Sequence, residues 1–213
     1  MFRKIFAVLA LFMTLTTQSW SAEFFVLPGT KTLLVLGETK NADVEIIKKY
    51  IADVEIDSLF LKGPGGSFMA GLSIANIVIE NELSTSIPEN TDCASACSLI
   101  FAAGSNRSME AGARLGFHLP FLDFDSDLIF GGANKYCAQL KGNEDVFMHV
   151  KIDEECLKLT YLNAQEDMRL LSKILARDGI SEEVIDLIYS TPAGDMSWMS
   201  VGDATDYGLV NTD

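Results

Sequence analysis

Ser95 stands in DCASACSLIFAAG (Asp92–Gly104), between Cys93 and Cys97, where a loop of small residues runs into a short apolar helix. A hydroxyl at such an entry sits where the helix amides favour anionic character. The next main-chain N–H, that of Ala96, is then placed to face a developing oxyanion. Ser98 is a rival hydroxyl, but three residues further into the apolar run it should be buried. A serine is inert at neutral pH without a base in hydrogen-bond reach, and His118 and His149 are the only histidines. His118 closes the apolar stretch ARLGFH just before Leu119 and Pro120, whereas His149 lies in an acidic surface stretch. Upstream, KGPGGS carries Gly65 and Gly66, whose backbone can approach a ligand closely and aim N–H groups at it. Together these are the parts of acyl transfer: nucleophile, general base and oxyanion donors. Each also has a plainer reading, as a small packing residue, a core histidine bonded to backbone, and a tight turn without a ligand.

The elements that must position these residues are read from hydrophobic rhythm. TLLVLGE (Thr32–Glu38) and IDSLFLKG (Ile56–Gly63) are short runs rich in branched residues, and NADVEIIKKYIAD between them has a helical pattern. This predicts a strand–helix–strand unit. FMAGLSIANIVIENE follows as a long apolar helix, joined to the second strand by a Gly-Pro-Gly-Gly turn. STSIPENTDCAS reads as a strand and loop, ACSLIFAAG as a buried helix closed by Gly104, and ARLGFH as a strand. Alternating strands and helices predict an α/β fold with a largely parallel sheet and flanking helices. Strand ends of such a sheet converge on one crevice, which is where the glycine turn, Ser95 and His118 should meet. From Leu119 to Glu155 the rhythm weakens into an acidic inserted excursion. Beyond it, YLNAQEDMRLLSKILARDG and SEEVIDLIYS read as two helices, the second opening on a capping serine, and MSWMSVGDATDYGLV as a short helix and a last small strand.

The first residues read as a leader. Arg3 and Lys4 precede an apolar run from Ile5 to about Leu15, and Ser19-Trp20-Ser21 fits a cleavage site. Residues 1–21 are therefore expected to be a signal peptide and residues 22–213 a single domain, secreted or periplasmic. A spanning helix would need about 20 apolar residues, and threonines and a glutamine interrupt this run earlier. Without the leader, 14 basic side chains face 30 acidic ones, a net charge of −16. Such a surface repels phosphate backbones, so a nucleic-acid partner is disfavoured. An even count of four cysteines in an exported chain suggests disulfides, and local spacing favours Cys93–Cys97 with Cys137–Cys156. The other reading of Cys93 and Cys97 is a pair of small buried thiols. No zinc-ligand spacing is present, so no metal or cofactor is expected.

In this order, GPGGSFMAG (Gly63–Gly71), ASAC (Ala94–Cys97) within CASAC, and GFHLP (Gly116–Pro120) resemble the proteolytic subunit of the Clp protease and its crotonase-fold relatives. With AGARLGFH and the closing WMSVGDATDYGLV, the pattern is most similar to a secreted branch of that superfamily. The resemblance covers roughly Thr32 to Val210, interrupted by the excursion. It implies a ClpP/crotonase-like ββα superhelix with Ser95 as nucleophile, His118 as general base, and Gly65, Gly66 and Ala96 as oxyanion donors. The interval from serine to histidine, 23 residues, is similar to the family's. The family's aspartate falls some eight residues before the serine matching Ser200, and here that place holds Thr191 and Pro192. Asp195 is the nearest acid and Asp186 the second.

The expected activity is peptide-bond hydrolysis through an acyl-enzyme, on peptides or unfolded chains. Self-association is implied by the resemblance, and an ATP-driven unfoldase is not expected outside the cell membrane. The crotonase branch offers acyl-CoA chemistry instead, but its members place glutamates at the catalytic turns and the cofactor belongs to the cytoplasm. A third reading, from a different class, is a catalytically silent binding or scaffolding protein on the same fold.

Overall fold

The computed structural model describes residues 22–119, 169–177, 179–192 and 194–212. In chain order the strands are β1 (Glu23–Val26), β2 (Thr32–Thr39), β3 (Ser58–Gly66), β4 (Ser84–Ile87), β5 (Asp92–Ala94), β6 (Arg107–Met109), β7 (Arg114–Phe117) and β8 (Ser197–Met199). The helices are α1 (Asn41–Val54), α2 (Phe68–Glu80), α3 (Ala96–Ala102), α4 (Glu183–Ser190) and α5 (Val201–Asp206), with residues 169–175 also helical. The result is an α/β structure on a mixed, mostly parallel sheet with flanking helices. Among the described residues only the β1–β2 and β7–β8 pairs are antiparallel.

β3 is the branch point of the sheet. Its first residues, Ser58–Phe60, pair in parallel with β4, while Gly63 pairs in parallel with β5. β4 is then extended by β6, and β5 by β7. Each circuit of the chain thus lays one strand on each ladder, β4 then β5, and β6 then β7. A helix follows β5 and crosses back in contact with α2 and β3. Because β5, β7 and the far end of β3 share one ladder, the residues leaving them come out side by side.

Burial follows the alternation that makes these strands. Leu33, Leu59 and Leu61 are buried with Leu72, Ile74 and Val78 of α2. All seven residues of α3 are buried, as a sequence apolar all round except for Ser98 requires of a helix between other layers.

Four sequence expectations change. The Gly-Pro-Gly-Gly stretch is not a turn but the end of β3: a register shift between Leu36 and Glu38 lets Gly65 and Gly66 pair with Glu38 and Thr39. TDCAS contains the separate strand β5 and not only loop. β1 and β6 are strands where no strand was expected, both short and lacking a run of branched residues. At the carboxyl end the small strand, β8, precedes the helix α5, because Ser200 and Asp203 form a capping box that starts the helix there. The leader, the Cys137–Cys156 pair, His149 and all of the excursion except Leu119 lie outside the described residues. Among the described residues no helix is long and apolar enough to cross a membrane.

Candidate active site

Ser95 joins β5 to α3 with φ 56° and ψ −122°, a backbone conformation that costs a non-glycine residue about 1–3 kcal/mol. Several contacts hold it there. Its N–H donates to the Gly116 carbonyl of β7 at 2.8 Å, and its carbonyl accepts from the Ser98 N–H at 2.9 Å. Cys93 and Cys97 are joined by a disulfide across the turn, Cα to Cα 5.3 Å, both buried. The pairing expected from spacing is thus present in the structure. Ser98 faces the interior, fully buried, its Oγ 2.8 Å from the carbonyl oxygens of both Cys93 and Gly116. The two serines therefore differ in kind: Ser98 braces the turn, and Ser95, half-buried, opens onto a cleft.

His118 follows β7 directly, two residues past the ladder that holds β5. Its Nε2 lies 2.7 Å from Ser95 Oγ, and its Nδ1 lies 2.7 Å from the Leu119 carbonyl oxygen. A carbonyl can only accept, so Nδ1 must carry the proton and Nε2 is left with a lone pair for the serine hydroxyl. This is the tautomer a general base needs. Leu119 is itself fixed, its N–H donating to the Thr191 carbonyl at 2.8 Å.

Asp195 and Asp186 are both exposed, and no hydrogen bond or ion pair joins either carboxylate to His118 among the described residues. Thr191, at the place the family's aspartate would occupy, is buried instead. Its Oγ1 donates to the Leu187 carbonyl at 2.7 Å and lies 2.7 Å from Ser197 Oγ. The backbone of Leu119 takes the position at Nδ1 that an acid was expected to fill. No sequence signal marks this, since any residue supplies a carbonyl and only the path of the chain after β7 aims it.

The glycines divide. Gly65 has φ +92°, and a Cβ on it would come 2.6 Å from the Ala94 carbonyl oxygen and 2.6 Å from Ser95 Cβ. It is the point where β3 touches the serine turn. Gly66, at φ +137°, lines the cleft together with Ala96, the first residue of α3, whose N–H has no acceptor within the helix. The cleft holds about 260 Å³. Among the described residues, Ser95 and His118 are the polar side chains on its wall, and Phe68, Leu99, Phe117, Leu171 and Ile188 supply most of the rest. Of these, Leu171 and Ile188 come from the carboxyl-terminal helices, a juxtaposition that hydrophobic rhythm alone does not specify. A wall this apolar lowers the local dielectric and strengthens any hydrogen bond made to a charge formed inside.

Among the described residues no group of three or more His, Cys, Asp or Glu side chains is placed to hold a metal ion. No protein-family model matches the sequence, and no curated protein matches it.

Proposed function

We propose that this chain is an exported serine hydrolase, acting on peptides or unfolded chains through an acyl-enzyme. The observation that carries the reading is the 2.7 Å contact between His118 Nε2 and Ser95 Oγ, with Nδ1 committed to a carbonyl. In this reading Ser95 Oγ attacks the substrate carbonyl while His118 takes its proton, and the proton then passes to the leaving amine. The tetrahedral oxyanion is met by main-chain N–H groups of the Gly65–Gly66 stretch and Ala96. Water, deprotonated by the same histidine, releases the acyl group. The apolar wall beside Ser95 suits an apolar side chain on the residue whose carbonyl is attacked.

The branching of β3 into two parallel ladders, each extended in turn by one strand per circuit, supports a fold of the ClpP/crotonase kind. So does the convergence of the three motifs on one cleft. Serine and histidine at the turns where crotonases place glutamates favour hydrolysis over acyl-CoA chemistry. The buried disulfide is compatible with an oxidising compartment. A backbone carbonyl in place of the aspartate fixes the tautomer but supplies no charge to the imidazolium. Turnover is therefore expected to be orders of magnitude slower than with a full triad.

A fluorophosphonate probe tests the reading. Wild-type protein should form a covalent adduct at Ser95 seen by intact mass, Ser95→Ala should form none, and His118→Gln should label at least about 100-fold more slowly. Wild-type protein that stays unlabelled across pH 6–9, with the fold intact by circular dichroism, sinks the hydrolase and leaves the silent binding protein.

A further inference from the structure

A buried carboxylate stands at the start of α1. Asp43, the third residue of α1, is only 1 % exposed. Its Oδ2 accepts the Lys40 N–H at 2.7 Å, closing the start of the helix, but its Oδ1 is buried with no hydrogen-bond partner among the described residues. A buried carboxylate oxygen without a partner is costly, and such atoms are rare in folded proteins. The groups around it are few. Burial raises the proton affinity of Asp43, the Lys40 N–H and ammonium lower it, the main-chain N–H of Ala22 lowers it further, and Glu38 raises it. Ala22 is the residue that the Ser19-Trp20-Ser21 pattern would leave as the first of the exported chain. It is buried at 7 % exposure beside Gly37, just ahead of β1, whose partner strand β2 leads into the start of α1.

We propose that the Ser21–Ala22 bond is the processing site and that the ammonium released at Ala22 forms a buried ion pair with Asp43. The inference rests on the leader reading and not on the hydrolase chemistry. Hydrolysis by an export-leader peptidase adds water across the amide. The hydroxyl oxygen goes to the Ser21 carbonyl, which departs as a carboxylate, and the Ala22 nitrogen becomes an ammonium. One amide donor is replaced by three donors and a full positive charge at the same place. Oδ1 gains the partner it lacks, and the carboxylate gains a counter-charge that offsets its desolvation. Removal of the leader thereby fastens β1 to the start of α1.

The sign of the pH dependence follows. Pairing raises the Ala22 ammonium above the ordinary α-amino range of about 7.7–8.0. The stability it contributes is present in full below that range and is lost as pH rises through the raised value. Lys40 and Glu38, the other charges facing Asp43, are present in every form compared and cancel.

Two measurements test the proposal. Amino-terminal sequencing of the protein exported from a bacterial host should begin at Ala22, and any other first residue overturns the processing site. Separately, residues 22–213 with Ala22 first should melt about 2–4 °C or more above the same chain carrying Gly-Ser ahead of Ala22, at pH 7. That gap should close above pH 10 and in Asp43→Asn. Equal melting of the two forms, or a gap unchanged by Asp43→Asn, overturns the ion pair even if Ala22 is the first residue. Should Asp43→Asn not fold, the NMR titration of an ¹⁵N-labelled Ala22 amine decides. A value above 8.0 sustains the pair and one at or below it ends it.

Discussion

At the scale of single residues, the site depends on conformations that side-chain chemistry alone does not reveal. Ser95 and Ser98 are both serines of one apolar segment, but one opens on the cleft and the other shares its proton between two buried carbonyls. Ser98→Ala should therefore lower stability by about 1–3 kcal/mol, the cost of taking a buried donor from the Cys93 and Gly116 carbonyls, of which Gly116 keeps the Ser95 N–H, while Ser95 still takes the fluorophosphonate. Urea unfolding and intact mass on the same sample check both halves. Gly65 makes the complementary case. An alanine there meets both a left-handed φ and the Ser95 turn at 2.6 Å, so Gly65→Ala should destabilise by more than about 1 kcal/mol. Labelling should slow as Ser95 is displaced, and both effects should appear together if β3 and the serine turn are one unit. The serine, the histidine and the glycines are legible as candidates from their types. The carbonyl of Leu119 is not, because a backbone group has no sequence signature.

At the scale of elements, the disulfide and the Asp92–Arg114 pair both act on β5. The Cys93–Cys97 bond closes a loop of only a few residues, so it should add about 2 kcal/mol by restricting the unfolded chain. Cys93→Ala with Cys97→Ala should lose about that much in chemical denaturation. If the bond also holds the unfavourable φ of Ser95, the double variant should label more slowly than its loss of stability alone explains, measured where both proteins are fully folded. Arg114 of β7 donates two hydrogen bonds to Asp92 of β5, at 2.8 and 2.6 Å, and stacks over Trp198 of β8. Those hydrogen bonds, with the charge of Arg114, hold the Asp92 carboxyl below the usual carboxylate range. A lowered value means the pair stabilises the fold above the ordinary carboxylate range and stops doing so as pH falls through it. Between pH 6 and pH 3 the wild-type melting temperature should accordingly drop further than that of Arg114→Gln.

At the scale of the whole molecule, a buried arginine ties the carboxyl-terminal segment to the sheet. Arg107 of β6 is 1 % exposed, and its guanidinium donates to the carbonyls of Gly104, Gly208 and Leu209. Its own N–H and carbonyl bind Asn211 and Thr212. Arg107→Met keeps the length and removes the donors, stranding several buried acceptors at about 1–3 kcal/mol each. A loss of about 3 kcal/mol or more in urea unfolding, with the last residues cut early in limited proteolysis, is the expected outcome. Wild-type stability in this variant would show that solvent reaches those carbonyls. The same segment carries β8 and Thr191, whose carbonyl fixes Leu119, so the carboxyl end braces the histidine from a distance of some 70 residues.

The alternation of branched runs with helical rhythm in residues 32–118 was enough to give a parallel α/β sheet, since these patterns follow from local periodicity and burial. Ser95, His118 and the glycines could be picked out because so few residues carry acyl-transfer chemistry, and the cysteine pair because four-residue spacing brings two thiols within reach. What only the tertiary structure decided is how these pieces meet. β3 divides between two ladders, a register shift keeps its glycines in the sheet, and Nδ1 of His118 meets a carbonyl instead of Asp195 or Asp186. Each is a long-range pairing set by the path of the backbone, and backbone groups are the same at every position of the sequence.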